Sequence, residues 1–472
     1  MAAASSTEKK ATLRILVDEN KNKVLYAEAG KDIVDALVSF LTLPLGTIAR
    51  IVSNDSDKEK VSVGCLSSLY QSVANLDVKH FSSDIFKEMV LRPRNSSEVY
   101  CQNMKLNIDN TEKTKYFVCA DLDCSLRTSG RLLSLFRNQT CKCGKLMNLE
   151  ILPKFFNSEG FVHNSSTFTI FDDLKMIPDN FHRSVSEESQ PKNFGMENFS
   201  STKIVTVSVT QKEIVDLLKI SLLSNTSLTD FFLRREVFYQ NISLNKGTTV
   251  FNNVKAEPCN GEMFCSLKIV WRKSDNKILF ALADDDFIDI LLTFLIFPLG
   301  GVEYMLNGNS CLGSIDNLYK SVVDLDCKKY LKSLDLKDNL VKSRVAQYFK
   351  LKNQILTIDE VPVVKYSFCL ERSSSADDIC NLQDNGIYYS GMTCEDLISV
   401  KPRSSTINHS SSSGIGFVNC PSLYMVNNDL VVTPCSSMSV LSFLIEAGIS
   451  SSELDEKIIS VGKIEVNHFI EM

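Results

Sequence analysis

The stretch LRILVDENKNKVLYAEAGKDIVDALVSFLTLPLG, residues 13–46, returns at residues 267–300 as LKIVWRKSDNKILFALADDDFIDILLTFLIFPLG, ungapped and with 15 of 34 positions identical. A repeat this long predicts two tandem copies of one unit, not a solenoid of short repeats. In the first copy, two apolar-rich runs at residues 14–17 and 23–27 flank a polar turn, the pattern of a β-hairpin. Residues 33–43 follow as a run that is apolar nearly all round, expected as a buried core helix. That run is far short of the roughly 20 residues a bilayer span needs. Asp32 is expected to cap the helix, and Pro44 and Gly46 to end it. The second copy carries Asp284, Asp285 and Asp286 at the same helix start, read as charge favoured by the helix dipole.

Outward from this stretch, LSSLYQSVANL at residues 66–76 places Leu66, Leu69, Val73 and Leu76 at helical spacing, and Leu318, Tyr319, Ser321, Val322 and Leu325 repeat it. Cys65 and Cys311 precede these helices and are expected as packed thiols. LRPRN at residues 91–95 is expected as a solvated basic turn, with Pro93 biasing Arg92 to an extended conformation; the alternative is that its two arginines hold an anion. Residues 104–108 and 116–119 alternate as strands do. GFVHNSSTFTIFDDLKMIP, residues 160–178, matches GFVNCPSLYMVNNDLVVTP, residues 416–434, and each predicts two short strands around a polar turn. Residues 183–203 are expected as a linker, 401–414 as a Ser-rich loop, 211–223 as an amphipathic helix and 441–447 as a helix. The expected fold class is therefore α+β, as two tandem copies of one unit. The expected organisation is a polar tail (1–11), a first unit (12–235), a linker (236–264) and a second unit (265–472).

The chemistry lies in KYFVCADLDCSLRTSGRLLSLFRNQTCKCGKLM, residues 115–147. Cys119 and Cys124, then Cys141 and Cys143, form two close pairs separated by a spacing that suits a zinc site. Zinc takes four thiolates at about 2.3 Å in closed structural centres. Two tight turns would each bring two sulfurs, and Gly144 would let the second fold back. The first unit is thus expected to hold a small zinc-ribbon-like β module, residues 112–154, with a structural zinc. Four thiolates leave no open position, so the metal role is not catalytic. Four reduced thiols without metal, or a redox pair, are the alternatives. In the second copy Cys369 matches Cys119, but only Cys380 and Cys394 follow, so the quartet is expected in the first copy alone.

The net charge of −6 disfavours broad nucleic-acid binding, which needs a basic surface. The N-terminal MAAASSTEKKATLR lacks the apolar core of a secretory signal. With 15 cysteines, that points to a reducing compartment, cytoplasmic or nuclear, and not to secretion. No membrane partner is expected. The five histidines, His80, His163, His182, His409 and His468, fall in no ligand or triad spacing.

Taken together, the LPLG after the core helix, the Leu-Tyr-x-Ser-Val-x-x-Leu-Asp helix, LRPRN, the Cys119–Cys143 quartet and the GFV…DDL…P hairpin resemble the plant family catalogued as domain of unknown function 674. The resemblance covers nearly the whole chain. It implies a plant protein of a multi-copy family with no established activity, and it supplies no catalytic residues.

No phosphate loop, nucleophile elbow, dinucleotide fingerprint or His-Glu metalloprotease motif occurs. The expectation is a non-enzymatic soluble interaction or scaffold protein with an unknown protein partner. The alternative is an enzyme whose site lies at the cleft between the copies, where pockets often form. Nucleic-acid contact by the cysteine module, through Arg127, Arg131 and Arg137, ranks last.

Overall fold

The structure is a computed structural model, and it describes residues 9–53, 63–121, 124, 132–151, 160–179, 201–244, 263–350, 358–362, 366–371, 379–384, 394–400, 402, 416–419 and 422–462. The helices and sheets together make an α+β protein. Strands β1 (Lys10–Asp18) and β2 (Lys23–Gly30) form the expected hairpin, with Leu13 opposite Ala29. Its turn is held by Asp18, whose Oδ1 accepts the N–H of Asn20 and of Lys21. Alternate residues Ala11, Leu13 and Ile15 face the core, as the pleat requires. Helix α1 (Lys31–Ser39) follows and is buried along most of its length.

Asp32 is not its cap. Gly30 holds the cap position without a side-chain bond, and Asp32 lies in the first turn, 3.2 Å from Lys105. The strand runs straight into the helix, so capping falls two residues earlier than the apolar pattern suggests. In the second half, Asp284 occupies the position of Gly30 and does cap, accepting from the Phe287 N–H at 3.2 Å.

The chain continues through α2 (Leu45–Ser53), α3 (Gly64–Asn75), α4 (Asp84–Leu91) and the short α5 (Glu98–Cys101). Next come β3 (Tyr116–Cys119), β4 (Leu132–Ser134), β5 (Gln139–Thr140) and β6 (Leu146–Ile151). Then β7 (Thr167–Phe171), β8 (Met176–Pro178) and β9 (Thr202–Thr210) complete an antiparallel sheet of order β8-β7-β2-β1-β9. Helix α6 (Gln211–Ser221) starts with a capping box between Thr210 and Glu213, followed by α7 (Ser227–Phe232) and α8 (Arg235–Leu244).

The second half opens with β10 (Met263–Arg272), β11 (Lys277–Asp284), α9 (Asp285–Ile296) and α10 (Leu299–Met305). Helices α11 (Gly313–Asp324), α12 (Cys327–Tyr330) and α13 (Leu334–Val341) follow. After β12 (Tyr366–Glu371), β13 (Ile379–Asp384) and β14 (Cys394–Val400) come β15 (Leu423–Asn427), β16 (Val432–Pro434), α14 (Ser437–Glu446) and β17 (Leu454–Gly462). The second sheet has the order β16-β15-β11-β10-β17. Both hairpins break register at the same place, between Leu16 and Val17 and between Val270 and Trp271.

The helices cross between the halves. Leu69 and Val73 of α3, with Phe86, Met89 and Val90 of α4, are buried against the second sheet and α9, beside Leu267, Ala283 and Ile288. Ile315, Leu318 and Val322 of α11, with Leu336 and Leu340 of α13, are buried against the first sheet and α1. Each such side chain contributes roughly 1.5–3 kcal/mol on burial. The crossing is stitched by polar bonds in matching places. Ser72 Oγ accepts the Val432 N–H at 3.2 Å, and Ser321 Oγ accepts the Met176 N–H at 2.8 Å. The Phe417 carbonyl accepts from Ser82 N, and the Phe161 carbonyl from Lys332 N. Phe168 meets Tyr330 edge-on at 5.8 Å, as Tyr424 meets His80 at 6.1 Å.

LPLG makes the crossing point. Leu45 N donates to the Phe297 carbonyl at 2.8 Å, and Leu299 N to the Leu43 carbonyl at 2.9 Å. A Cβ on Gly46 would stand 2.8 Å from the Leu295 carbonyl oxygen, and one on Gly300 2.6 Å from that of Leu340. The glycines are needed because backbone lies against backbone there.

A third sheet, β13-β12-β14-β4-β3-β6-β5, joins the halves, with β14 parallel to β4 and Ile398 opposite Leu132. The strand expected at residues 104–108 does not form. Met104, Leu106 and Ile108 are buried in alternation, but side chains take the place of a partner strand. Asn107 Oδ1 accepts from Asp109 N and Asp109 Oδ1 from Thr111 N. Cys65 is half-buried and Cys311 exposed, so neither packs as expected. Residues 1–8, 183–200 and 403–414, which cover most of the expected tail, linker and Ser-rich loop, lie outside the described residues.

Candidate metal centre

Cys119 ends β3, where the Ala120 N–H bonds the Leu146 carbonyl of the neighbouring strand. Cys124 stands a turn further on, its N–H directed at Asp121 Oδ1. The opposite turn is set by the backbone. Cys141 N donates to the Lys145 carbonyl at 2.8 Å and Gly144 N to the Cys141 carbonyl at 3.0 Å. Gly144 takes φ +85°, a conformation open to glycine without strain. An ion pair of 2.9 Å between Lys145 and Asp121 ties one turn to the other.

The four sulfurs of Cys119, Cys124, Cys141 and Cys143 lie within 4.8 Å of one another. Cys119 and Cys143 are 3.5 Å apart and Cys124 and Cys141 3.8 Å apart. Metal–sulfur bonds of about 2.3 Å in a tetrahedron set sulfurs about 3.8 Å apart. A disulfide requires about 2.05 Å, so these are four free thiols arranged as a ligand set. Cys119 and Cys141 are buried with Phe117, Leu132 and Met147 in a core of a few side chains. A lobe with so little apolar surface gains from a cross-link. The Lys145 N–H beside Cys143 lowers its thiol to about 7. Burial raises that of Cys119, and the hydrogen bond to Cys143 raises that of Cys124 to about 12. The first thiolate therefore forms at the exposed tip of the cluster.

Of the arginines beside the quartet, Arg137 is exposed, and Arg127 and Arg131 lie outside the described residues. In the second half, Cys369 faces Cys394 in strand register and Cys380 lies on β13.

Two further groups escaped the sequence reading. Asp35 of α1 accepts the N–H of Phe161 at 2.7 Å and of Val162 at 2.9 Å, and Asp289 of α9 accepts those of Phe417 and Val418 at 2.9 and 3.1 Å. GFV and the core-helix aspartate are thus one device. A Cβ on Gly160 or Gly416 would lie under 2 Å from the carboxylate. The signal was present as an invariant Asp inside each apolar run, paired with each GFV. Asp35 has Lys31 at 2.6 Å. Asp289 has no lysine there, and burial raises its carboxyl to about 8.

Glu303, fully buried on α10, is also raised to about 8 by burial. It shares the Ser310 hydroxyl with Asp316, at 2.5 and 2.7 Å. No residue type in that loop announces the pairing, which depends on how α10 packs against α11.

A crossed-helix α+β architecture with one four-thiol cluster is what fold and site define. The chain belongs to the family described as protein of unknown function (DUF674), which matches residues 7–464. No curated protein and no solved structure matches it. Among the described residues, no helix is long and apolar enough to cross a membrane.

Proposed function

We propose that the quartet holds one structural zinc ion, that the chain is two tandem copies of one α+β unit (12–235 and 265–472), and that the protein is a non-catalytic interaction scaffold. The observation that carries the zinc assignment is the pair of sulfur separations, 3.5 and 3.8 Å, which approach the edge of a zinc tetrathiolate. A closed set of four thiolates leaves the metal no place for substrate or water, so the ion steadies a zinc-ribbon-like lobe (112–154). The matching strand orders of the two antiparallel sheets support duplication.

The scaffold reading is favoured over an enzyme between the units because, among the described residues, the halves meet through crossed apolar helices. The partner is a protein, met in a reducing compartment, cytoplasmic or nuclear, where the thiols stay reduced.

Elemental analysis of the full chain tests the metal. One zinc per chain is expected in the wild type and none in Cys141→Ser, with a lower melting temperature in the variant. A wild-type chain that carries no zinc after purification from zinc-supplemented medium would refute the assignment. For the scaffold, affinity capture with wild type and Cys141→Ser should recover a shared partner, lost in the variant if it binds the zinc lobe. Reproducible recovery of no partner counts against it.

A further inference from the structure

LRPRN was expected to be a solvated turn, but Arg94 turns inward. Its guanidinium lies over the Phe136 ring at 5.1 Å, and NH2 donates to the Leu135 carbonyl at 2.6 Å. NH1 is buried and has no protein partner. Leaving a buried charged donor unsatisfied costs more than one hydrogen bond contributes. Arg94 lines a cleft of about 450 Å³, counted with the solvent at its mouth, between α5 and the irregular segment after it.

The other polar groups of the wall divide sharply. The Glu98 carboxylate is engaged at both oxygens. Glu98 Oε1 accepts from Thr114 N at 2.8 Å and from Gln102, and Oε2 accepts from the Thr114 hydroxyl. Asp109 Oδ1 accepts from Thr111 N at 2.9 Å, and Glu112 pairs with Lys115 outside the cleft. Donors are left over. Lys113, exposed at the rim, is in no ion pair among the described residues. Asn107 uses its Oδ1 on Asp109 N, which leaves its amide nitrogen without a protein partner.

A buried guanidinium nitrogen without a partner, in a cleft that also holds a free amide nitrogen and an ammonium group, is complementary to a ligand made of acceptors. Guanidinium is the side chain best shaped for such a group, because two of its N–H bonds match two oxygens of one oxyanion. We propose that this cleft binds a small oxyanion, the phosphate or carboxylate group of a ligand, through Arg94, with Lys113 and Asn107 completing the donor set. The second half has no equal. Arg344 stands where Arg94 does, but Val345 and Tyr348 replace Asn95 and Glu98. Because Leu135 and Phe136 directly follow β4, an anion here would sit against the sheet that carries the quartet.

Calorimetric titration of the full chain with inorganic phosphate and, separately, with acetate tests this. Saturable binding of either at millimolar concentration is expected, and which one binds tells a phosphate ligand from a carboxylate. Arg94→Gln should abolish it. That variant also loses the Phe136 and Leu135 contacts, so the deciding variant is Lys113→Glu with Asn107→Asp. It should weaken binding at least tenfold with the melting temperature unchanged. No saturable binding of either anion by the wild type, or binding that the double variant leaves intact, would overturn the proposal.

Discussion

In the first half the aspartate that anchors GFV has a lysine one turn before it, and in the second half that turn carries an acid. Lys31 lies 2.6 Å from Asp35, whereas Asp285 stands where Lys31 would be and adds to the rise of Asp289. Both carboxyls hold two backbone N–H groups in the same way. The bond is therefore set by fold; burial raises both carboxyls, and a lysine opposes that rise only at Asp35. The cysteines teach the same lesson at larger scale. Strands of both halves enter the third sheet, but among the described residues only the first half supplies a closed ligand set. The same hydrogen-bonding architecture carries different chemistry in the two halves.

The largest effect should come from separating the halves. Residues 1–244 or 245–472 expressed alone would leave one sheet without α11 and α13, or the other without α3 and α4. Neither should show cooperative thermal unfolding as a monomer, and mixing the two should restore it. A half that melts cooperatively alone would mean that the crossed helices contribute little.

The crossing point comes next. Gly300→Val would press a side chain on the Leu340 and Leu41 carbonyl oxygens, 2.6 and 2.8 Å from its Cβ. A loss of about 3 kcal/mol is expected in urea unfolding, at the upper end for overpacking because backbone cannot move aside as a side chain can. A change below about 0.5 kcal/mol would show the contact is loose.

The two aspartates can be set apart by pH. Asp289 titrates near 8 in the folded chain, well above the ordinary 3.8 of an aspartate. A carboxyl raised in this way contributes most below pH 4, and that contribution fades as pH rises to 8. Asp289→Asn keeps an acceptor for both N–H groups but cannot ionise. Its melting temperature relative to wild type should climb between pH 4 and 8. Asp35→Asn should gain less over the same range, since Lys31 loses its partner. Equal slopes for the two variants would erase the distinction drawn between them.

The smallest effect concerns the caps. Gly30→Asp copies Asp284, and nothing lies within 4 Å of a Cβ at Gly30. A gain of about 0.3 kcal/mol is expected from the added cap. A loss would show that the extended backbone at Gly30 resists a side chain.

The sequence by itself determined the repeat, both hairpins, the two core helices and the four cysteines, because periodicity, turn residues and ligand spacing act within some 30 residues. Its strand at 104–108 failed because alternation reports burial and not pairing, and Asn107 and Asp109 took up the backbone bonds instead. The Asp32 cap failed differently: Gly30 holds the cap position, and Asp32 is spent on Lys105, 73 residues away. Only the tertiary structure decided that α3 belongs to the second sheet and α11 to the first, that Arg94 points inward, and that Asp35 meets GFV. Each of these joins residues whose separation along the chain leaves no local signature, and each is settled by which apolar surfaces close on one another.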